Sequence, residues 1–485
     1  MYLKDLLIDV PEVLELRGDG QTQIESLSAD SRKQTQAGLF FCFRGANFDA
    51  HDFAAQAAEN GSVALVVERW LPDVRAAQVL VSDARAAMAR IASAFYGHPQ
   101  RRMRMVGVTG TKGKTTTTYL LKSICEQAGM KCGLIGTTGN MIGARMLDSK
   151  LTTPDPIELY DTLRTMADEG VQVVCMEVSA HALALRKLVG MSFEAAAYTN
   201  LSLDHLDFFG TMEHYRDAKR RLFADGLCQN AAFNADEETT PEVCADLNLP
   251  CMTFGISQNA DLYARDIEIS ENGVFFTLNL RGLHSADIHL RMTGMFNVYN
   301  ALAATALAMI LGIDLDTIKR GLEAVRSVPG RIEMLELDTP YRMILDYSHS
   351  PDALDNILRT VRTFTRGRLI ALFGCGGDRD RQKRPVMGRI SGQLADLSIL
   401  TSDNPRREDP MQILTAIEDG IRETDGKYVI IENRREAIRY AMQVAQEGDV
   451  IVLCGKGHET YQDIGGVKYP FDEKCVVREL LAEQE

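Results

Sequence analysis

A glycine loop between an apolar strand and a predicted helix constrains the fold of this chain more than any other feature. The segment runs from Met105 to Thr118 and reads M-V-G-V-T-G-T-K-G-K-T-T-T-T. Glycines let backbone N–H groups close around a polyphosphate, and the helix N-terminus adds the positive end of its dipole. In such a loop Lys114 reaches the terminal phosphates, and the Thr115 hydroxyl can bind Mg²⁺. The segment therefore predicts binding of a nucleoside triphosphate.

The loop departs in one respect from the general spacing of phosphate loops. The pattern G-x-x-x-x-G-K-[ST] would put its first glycine at Val108, and here Gly107 and Gly110 form the turn instead. The alternative interpretation is a glycine-rich turn with a fortuitous lysine. A Lys-Thr pair that follows three spaced glycines and an apolar strand favours the phosphate loop.

Length, charge and cysteine pattern bound the class of protein. The 485 residues suffice for about three domains at ~100–200 residues each. A net charge of −14 argues against general affinity for nucleic acid. The N-terminus lacks a secretory signal, and no stretch approaches the ~18 apolar residues of a membrane span. The ten cysteines occur singly, which is typical of reduced core residues rather than zinc ligands or disulfides. We expect a cytoplasmic, monomeric protein that neither binds nucleic acid nor enters a membrane.

Apolar runs alternating with helical patterns predict an α/β chain of three domains. Two turn-rich segments, 97–99 and 327–330, separate a smaller N-terminal α/β domain (1–99), a central phosphate-loop domain (100–330) and a C-terminal domain (331–485). Short aliphatic runs predict a mostly parallel central sheet with an added antiparallel piece and a C-terminal doubly wound, Rossmann-like sheet. The predicted strands are 134–138, 171–178, 195–199, 231–234, 273–280 and 288–292, followed by 343–345, 369–373, 397–400, 429–431 and 450–453.

Polar clusters follow directly after many of these runs. They occur at 110–115, 177–179, 199–200, 346–349, 374–381, 403–406 and 455–459. Because the carboxyl ends of strands line the ligand crevice of an open α/β sheet, both later domains are expected to point these groups at a shared cleft.

Glu177 and His205 are candidate ligands for a metal bound to the nucleotide. Glu177 follows an apolar strand, and His205 lies in the polar segment 200–207. Mg²⁺ takes few protein ligands and keeps several waters. Taken alone, either residue could be a buried, hydrogen-bonded side chain, and for a lone histidine that is the better explanation. Their position near the phosphate loop favours the metal site.

Lys219 lies in an unusual position on a predicted helix. Thr211 can cap this helix, whose apolar stripe contains Tyr215, Ala218 and Leu222, and Lys219 falls beside the stripe. A partly buried amine has a lowered pKa and can be a neutral nucleophile. A lysine that covers apolar surface with its stem is the alternative.

Four arginines gather on two loops of the third domain, at positions 379, 381, 384 and 406. Arginine binds carboxylates and phosphates in a bidentate manner. Asp403, Asn404 and Glu459 supply acceptors for an ammonium group, so the combination fits an amino-acid-like ligand. A network of surface ion pairs is the alternative explanation.

Motifs along the whole chain resemble those of the Mur ligases of peptidoglycan synthesis. They are G-T-K-G-K-T-T at 110–116, T-T-P at 152–154, M-E-V-S-A-H-A-L at 176–183, T-N-L-S-L-D-H-L-D at 199–207, A-K at 218–219, F-N-V-Y-N-A at 296–301, P-G-R-I-E at 329–333, D-Y-S-H-S-P-D-A at 346–353 and K-G-H-E-T-Y-Q at 456–462. The resemblance implies that ATP and Mg²⁺ activate the D-glutamate carboxylate of UDP-N-acetylmuramoyl-L-alanyl-D-glutamate. The amine of meso-diaminopimelate then attacks the acyl phosphate.

The resemblance also implies roles for individual residues. Lys114, Lys219 and His205 would be catalytic, and Thr115, Glu177, His205 and a carbamylated Lys219 would position the metal. The implied ATP contacts are Gly110, Thr111, Lys112, Gly113, Lys114, Thr115, Thr116, Asn297, Asn300, Arg331, Asp346 and His349. The implied substrate contacts are Ser31, Thr152, Thr153, Ser179 and Lys187 for the UDP-muramoyl-dipeptide, and Arg379, Asp403, Asn404, Pro405, Arg406, Gly455 and Glu459 for diaminopimelate.

Four alternatives stay open at this point. Lysine-adding members of the same family bind an amino acid that has no distal carboxylate. Arg406, which suits such a carboxylate, therefore argues against the lysine-adding activity. A meso-lanthionine-adding enzyme fits the same pocket. A folylpolyglutamate synthase has no counterpart of the first domain around Ser31, and a non-catalytic regulator would not need Lys219, Glu177 and His205 together.

Overall fold

The computed structural model describes residues 1–45, 48–147, 149, 151–282 and 284–483. Three large sheets follow one another along the chain, and a two-stranded sheet lies near the C-terminus. The predicted α/β class, with mostly parallel sheets in three regions, is confirmed. The domain boundaries at 99 and 330 stay predictions, and residues 484 and 485 of the third range lie outside the described residues. Among the described helices, none is both long and apolar enough to span a membrane.

The N-terminal unit contains a five-stranded sheet. Its elements are α1 Leu3–Leu6, β1 Val13–Arg17, β2 Ser26–Ser28, β3 Gly38–Phe41, α2 Ala54–Glu59, β4 Ser62–Val67, β5 Ala77–Val81 and α3 Ala84–Phe95. The strand order is β1-β5-β4-β3-β2, with β1 antiparallel to β5 and the other pairs parallel. The Asp83 carboxylate caps α3 by accepting the N–H of Ala86, which fixes where this helix begins.

The central unit contains an eleven-stranded sheet. Its strands are β6 Arg104–Thr109, β7 Cys132–Gly136, β8 Gly139–Ile142, β9 Arg145–Leu147, β10 Val173–Glu177, β11 Ala195–Tyr198, β12 Ala231–Asn234, β13 Cys251–Gly255, β14 Leu262–Ser270, β15 Gly273–Leu280 and β16 His284–Leu290. Its helices are α4 Lys114–Gln127, α5 Pro156–Asp168, α6 Ala180–Ala184, α7 Leu206–Phe209, α8 Met212–Ala224, α9 Thr240–Cys244, α10 Met295–Ile310 and α11 Leu315–Ala324.

The phosphate-loop strand β6 lies between β11 and β10 in the middle of this sheet, whose order is β16-β15-β14-β13-β12-β11-β6-β10-β7-β8-β9. Pairing is parallel from β14 to β7 and antiparallel at both edges. The predicted strand 273–280 is β15, whereas the strand predicted at 288–292 lies earlier, at β16. The predicted strand 134–138 ends earlier, at Gly136 of β7, and the hairpin β8–β9 was not predicted because its short strands carry a weak apolar pattern.

The C-terminal unit contains a six-stranded sheet and a separate hairpin. Its elements are β17 Glu333–Met334, β18 Arg342–Asp346, α12 Pro351–Arg362, β19 Leu369–Phe373, α13 Lys383–Leu394, β20 Leu397–Leu400, α14 Pro410–Ile421, β21 Tyr428–Ile430, α15 Arg434–Val444, β22 Val450–Cys454, β23 Tyr461–Ile464, β24 Val467–Pro470 and α16 Glu473–Ala482. The order is β17-β18-β22-β19-β20-β21; the pair β17–β18 is antiparallel and the other pairs of this sheet are parallel. Helices α12 to α14 cover one face and α15 and α16 the other, as expected for a doubly wound sheet.

Candidate active site

Two glycines of the phosphate loop occupy positions that exclude a side chain. Gly110 has φ of +150°, and a Cβ there would lie 1.9 Å from the Thr199 Oγ1. Gly113 has φ of +86°, and its Cβ would lie 2.3 Å from the Asn300 Oδ1. The neighbouring elements β11 and α10 therefore approach the loop backbone closely, and only glycine permits that approach.

The segment after β11 fixes the loop by hydrogen bonds. The Lys112 N–H donates to the Asn200 Oδ1 at 2.8 Å, and the Lys112 carbonyl accepts from the Thr199 hydroxyl at 2.7 Å. The Thr111 N–H donates to the Asn200 carbonyl at 2.9 Å. Thr116 is buried in the first turn of α4. The loop conformation is thus preorganised by the neighbouring strand rather than by the loop sequence alone.

Lys114 lies across its own loop. Its Nζ donates to the carbonyls of Gly110 and Thr111, at 2.8 and 2.9 Å. Burial lowers the pKa of Lys114 to about 8, and the charges of Lys112 and Arg331 act in the same direction. A phosphate group would restore the missing negative partner, so this amine is placed for a polyanionic ligand.

Glu177 is a fully buried carboxylate at the end of β10. It accepts two hydrogen bonds from Thr137, one from the N–H and one from the hydroxyl, each at 2.9 Å. Within the described part of the chain it forms no ion pair, although buried carboxylates ordinarily need one. The nearby Thr115 hydroxyl is also buried. This hard, oxygen-based donor set fits Mg²⁺.

Lys219 is fully buried on α8, which Thr211 caps as expected by accepting the His214 N–H. Its Nζ lies 4.1 Å from the centre of the Tyr215 ring, and the same ring lies 5.9 Å from that of His205. Burial holds the pKa of Lys219 well below its usual value, and the charge of Lys114 adds to this effect. The direction of this shift agrees with the predicted neutral amine, which stays a prediction.

His205 and Lys219 both approach the Tyr215 ring, and 45% of the His205 side chain is exposed. Desolvation lowers its pKa to about 4, and the nearby basic side chains of His181, Lys114 and Lys219 shift it in the same direction. A neutral imidazole offers a lone pair to a metal or a proton.

Residues of the third unit reach the phosphate loop from the opposite side. The Lys112 Nζ donates to the Ser350 Oγ at 2.8 Å, and the Arg331 guanidinium donates to the Thr115 Oγ1 at 3.3 Å. The Asp346 carboxylate accepts the N–H of Ile332, and the His349 Nδ1 lies 2.7 Å from the Tyr347 carbonyl. Burial lowers the pKa of His349 to about 3.

Two asparagines on α10 complete this side of the site. The Asn300 amide donates to the Asn297 Oδ1 at 3.0 Å, and the Asn297 amide donates to the Thr293 carbonyl at 2.8 Å. Asn300 also faces Gly113. Both side chains are buried, so the chain of hydrogen bonds fixes their orientation at the loop.

Three of the predicted muramoyl contacts gather around Glu177. The Thr152 hydroxyl lies 3.0 Å from that of Thr137, and the Thr153 hydroxyl donates to the Glu177 carbonyl at 2.8 Å. The Ser179 N–H donates to the Thr153 hydroxyl, and the Ser179 side chain caps α6.

Lys187 and Ser31 have other described partners. Lys187 pairs with Asp155 at 2.8 Å, and the Ser31 hydroxyl in the N-terminal unit donates to Gln56 at 3.1 Å. Neither contact joins these residues to the Glu177 group.

The residues predicted to bind the amino acid lie after the ends of β20 and β22. The Asn404 amide donates to the Glu459 Oε2 at 2.8 Å, and a Cβ on Gly455 would lie 2.3 Å from the Asp403 Oδ2. The Asp403 Oδ2 is buried without a hydrogen-bond partner among the described residues. This carboxylate oxygen is therefore available to an ammonium ligand.

The four arginines near this pocket divide into two pairs. Arg406 follows Pro405, donates to the Gly377 carbonyl at 2.6 Å, and lies with Arg379 around Gly376. Arg381 and Arg384 instead pair with Glu408 at 3.3 and 3.0 Å. The ion-pair alternative is thus correct for Arg381 and Arg384.

Several residues of the cleft were not predicted from the sequence. Thr137, Ser350, Lys456 and His458 contact predicted residues or bridge the two units. Thr137 was placed inside the predicted strand 134–138. Because β7 ends at Gly136, Thr137 is in fact a polar residue directly after a strand end, which is the pattern that identified the other candidate residues. Lys456 and His458 lie in the motif at 456–462, in which no role was assigned to them.

Comparison with known proteins gives matches along the chain. Residues 23–96 match the Mur ligase family, catalytic domain, residues 108–308 the Mur ligase middle domain, and residues 330–457 the Mur ligase, glutamate ligase domain. Proteins named UDP-N-acetylmuramoyl-L-alanyl-D-glutamate--2,6-diaminopimelate ligase are 45% identical in Geobacillus thermodenitrificans and 44% identical in Caldanaerobacter subterraneus. Both alignments cover 100% of this chain and 100% of the relative.

Comparison with solved structures also finds a full-length match to a protein of this name. A structure of UDP-N-acetylmuramoyl-L-alanyl-D-glutamate--2,6-diaminopimelate ligase is 33% identical, with a TM-score of 0.70 over 100% of this chain and 99% of the other. A Mycobacterium tuberculosis folylpolyglutamate synthase covers 77% of this chain and 92% of its own at a TM-score of 0.65, and at 17% identity it shows a shared fold alone. From the domain matches and the full-length relatives, the chain belongs to the Mur ligase family.

Proposed function

We propose that this protein is an ATP-dependent amide ligase that adds meso-diaminopimelate to the D-glutamate of UDP-N-acetylmuramoyl-L-alanyl-D-glutamate. The observation that carries the proposal is the direct contact of the C-terminal unit with the phosphate loop of the central unit, through Arg331 and Ser350. Asp403, Asn404 and Arg406, which would bind the amino acid, belong to the same C-terminal unit.

The reaction has two steps that share one carbonyl carbon. The D-glutamate side-chain carboxylate attacks the γ-phosphorus of ATP, which forms an acyl phosphate and releases ADP. The neutral amine of diaminopimelate then attacks that carbonyl, phosphate leaves, and the amine proton is lost as the amide forms. Water would hydrolyse the acyl phosphate, so the contacts of Lys112 and Arg331 across the cleft support the reaction by limiting solvent access.

The residues around Glu177 fit Mg²⁺. Glu177, Thr115 and His205 would hold it, and when bound it would neutralise phosphate charge. Burial holds the pKa of Lys219 well below its usual value, which favours the neutral amine that can attack CO₂, with loss of one proton, to form a carbamate. The carbamate would place a negative charge near Lys114 and would support the metal site.

Arg406 and the groups around it support the choice of amino acid. Asp403 supplies a carboxylate oxygen without a described partner for an ammonium group, beside Asn404 and Glu459, which bind the Lys456 amine. The guanidinium groups of Arg406 and Arg379 can bind carboxylates. L-lysine lacks the distal carboxylate and would leave the Arg406 guanidinium without a carboxylate to bind, whereas meso-lanthionine carries both carboxylates and remains the second candidate. The monomeric state and the cytoplasmic location stay predictions.

The test is phosphate release with ATP, UDP-muramoyl-dipeptide and each amino acid in turn. We expect meso-diaminopimelate to be preferred over L-lysine by at least about 10²-fold in kcat/KM, because a buried polar group without its partner is costly. Arg406→Lys keeps the charge but loses the fork and is the matched control. A preference of the wild type for L-lysine would overturn the proposal.

Lys219 has a separate test. Lys219→Ala should abolish most activity, and short carboxylic acids should restore part of it by supplying the missing anion. Arg221→Ala, an exposed position on the same helix, is the control. Full activity of Lys219→Ala without any added acid would remove the metal-positioning role.

A further inference from the structure

We infer that the hairpin β23–β24 is a specificity-determining element that holds the segment 403–406 in its binding conformation, and that Gln462 is its main positioning residue. This inference rests on the proposed function, because it concerns the segment that would bind the distal carboxylate. Gln462 touches main-chain atoms next to the pocket and acts through Arg406.

The hairpin makes little contribution to the core of the C-terminal unit. Neither apolar cluster of that unit contains a described residue of β23 or β24. All four residues of β24 are exposed, and the two strands pair with each other outside the six-stranded sheet. Because an isolated two-stranded hairpin is marginally stable, its contacts with the rest of the unit matter.

Those contacts converge on the segment 403–406. The Gln462 amide donates to the Asp403 carbonyl at 2.8 Å and to the Ser402 carbonyl at 3.3 Å. The Asp463 N–H donates to the Asn404 Oδ1 at 2.9 Å. The hairpin therefore bonds both main chain and side chain at the beginning of the segment.

Arg406 is held by the hairpin through its own backbone. Its φ of +51° lies in the left-handed region, which is unfavourable for a residue with a Cβ. The Arg406 N–H donates to the Asp463 carbonyl at 2.9 Å, and the Arg406 carbonyl accepts the Gly465 N–H at 2.6 Å. These two hydrogen bonds stabilise the left-handed backbone conformation of Arg406, which would be unfavourable without them. In this conformation the guanidinium donates to the Gly377 carbonyl.

The test compares Gln462→Ala and the similarly shaped Gln462→Glu with Val467→Thr, an exposed hairpin position with no hydrogen bond to the segment. A carboxylate at 462 would face two carbonyl oxygens. We expect Gln462→Glu to raise the KM for meso-diaminopimelate about tenfold and Gln462→Ala somewhat less, because misplacing a bidentate group weakens binding. The KM values for ATP and the muramoyl dipeptide should stay within about twofold, and Val467→Thr should resemble the wild type.

Amide hydrogen exchange of residues 402–408 provides a readout that needs no turnover. Faster exchange in this segment in Gln462→Glu, with normal exchange in the large sheet, supports the inference even if the wild type prefers another amino acid. That preference would overturn the proposed function instead. Unchanged exchange and an unchanged KM for diaminopimelate, or an equal rise of all three KM values, would overturn the role of the hairpin.

Discussion

The central unit contacts its two neighbours in different ways. Against the N-terminal unit it forms an apolar interface, where one continuous hydrophobic cluster includes Met88 and Ile91 of α3 together with Leu159, Tyr160 and Leu163 of α5. Against the C-terminal unit it forms a polar interface, made of the pairs Lys112–Ser350, Thr115–Arg331, Thr137–His458 and Glu271–Arg342. No apolar cluster of the described residues crosses the polar interface.

This difference indicates which of the two interfaces can open at the lower cost in free energy. Burial of apolar surface gains about 25 cal/mol per Å², and separating an apolar interface loses that gain. Hydrogen bonds across a polar interface exchange for water at a net cost of roughly 0.5–1.5 kcal/mol each. The N-terminal and central units should therefore move as one body, while the C-terminal unit opens and closes over the phosphate loop to admit and release ligands.

The largest expected effect is on folding. Leu163→Ala in the apolar interface and Leu414→Ala in the core of α14 each remove a fully buried side chain, so each should cost about 2–5 kcal/mol of unfolding free energy. Trp70 is the single tryptophan of the chain and lies in the N-terminal unit. Its fluorescence reports the unfolding of that unit in urea. The urea concentration at the midpoint of this transition should be lower in Leu163→Ala than in the wild type, and unchanged in Leu414→Ala. Equal shifts in both variants would show that the polar interface is as strongly coupled as the apolar one.

An intermediate effect is expected from a single bond of the polar interface. Ser350→Ala removes the hydroxyl that binds Lys112. We expect kcat/KM for ATP to fall about 5–10-fold, because a closed state loses about 1 kcal/mol, while the Trp70 unfolding midpoint stays unchanged. Thr415→Val, at an exposed site on α14, serves as the control. A drop in the midpoint with normal kinetics would contradict the assignment of this bond to closure.

The smallest effect is expected at the rim of the polar interface. Arg342 pairs with Glu271 there, and 46% of the Arg342 side chain is exposed. A double-mutant cycle of Arg342→Gln and Glu271→Gln, measured by urea unfolding, should give a coupling of about 0.2–1 kcal/mol. High salt should reduce it, because exposed charges are screened. A coupling that is larger and insensitive to salt would mean that this contact anchors the C-terminal unit.

Local patterns predicted many of the strands of the two larger sheets. Three predicted strands have the predicted ends, at 231–234, 369–373 and 397–400. Short, continuous aliphatic runs are typical of strands in a parallel sheet that is buried on both faces. The apolar stripe on α8 predicted the buried amine of Lys219. The hairpin β8–β9 was missed because its strands carry a weak apolar pattern.

The sequence by itself determined the family, the phosphate loop, and the set of polar residues at the strand ends, because these depend on residue type and spacing along the chain. Tertiary structure decided which arginines are engaged, since Arg384 is committed to Glu408 while Arg406 faces the pocket. It also decided that one interface is apolar and the other polar, and that the hairpin supports Arg406. Pairing between segments far apart in sequence leaves no local pattern, because its energy depends on which surfaces meet after folding.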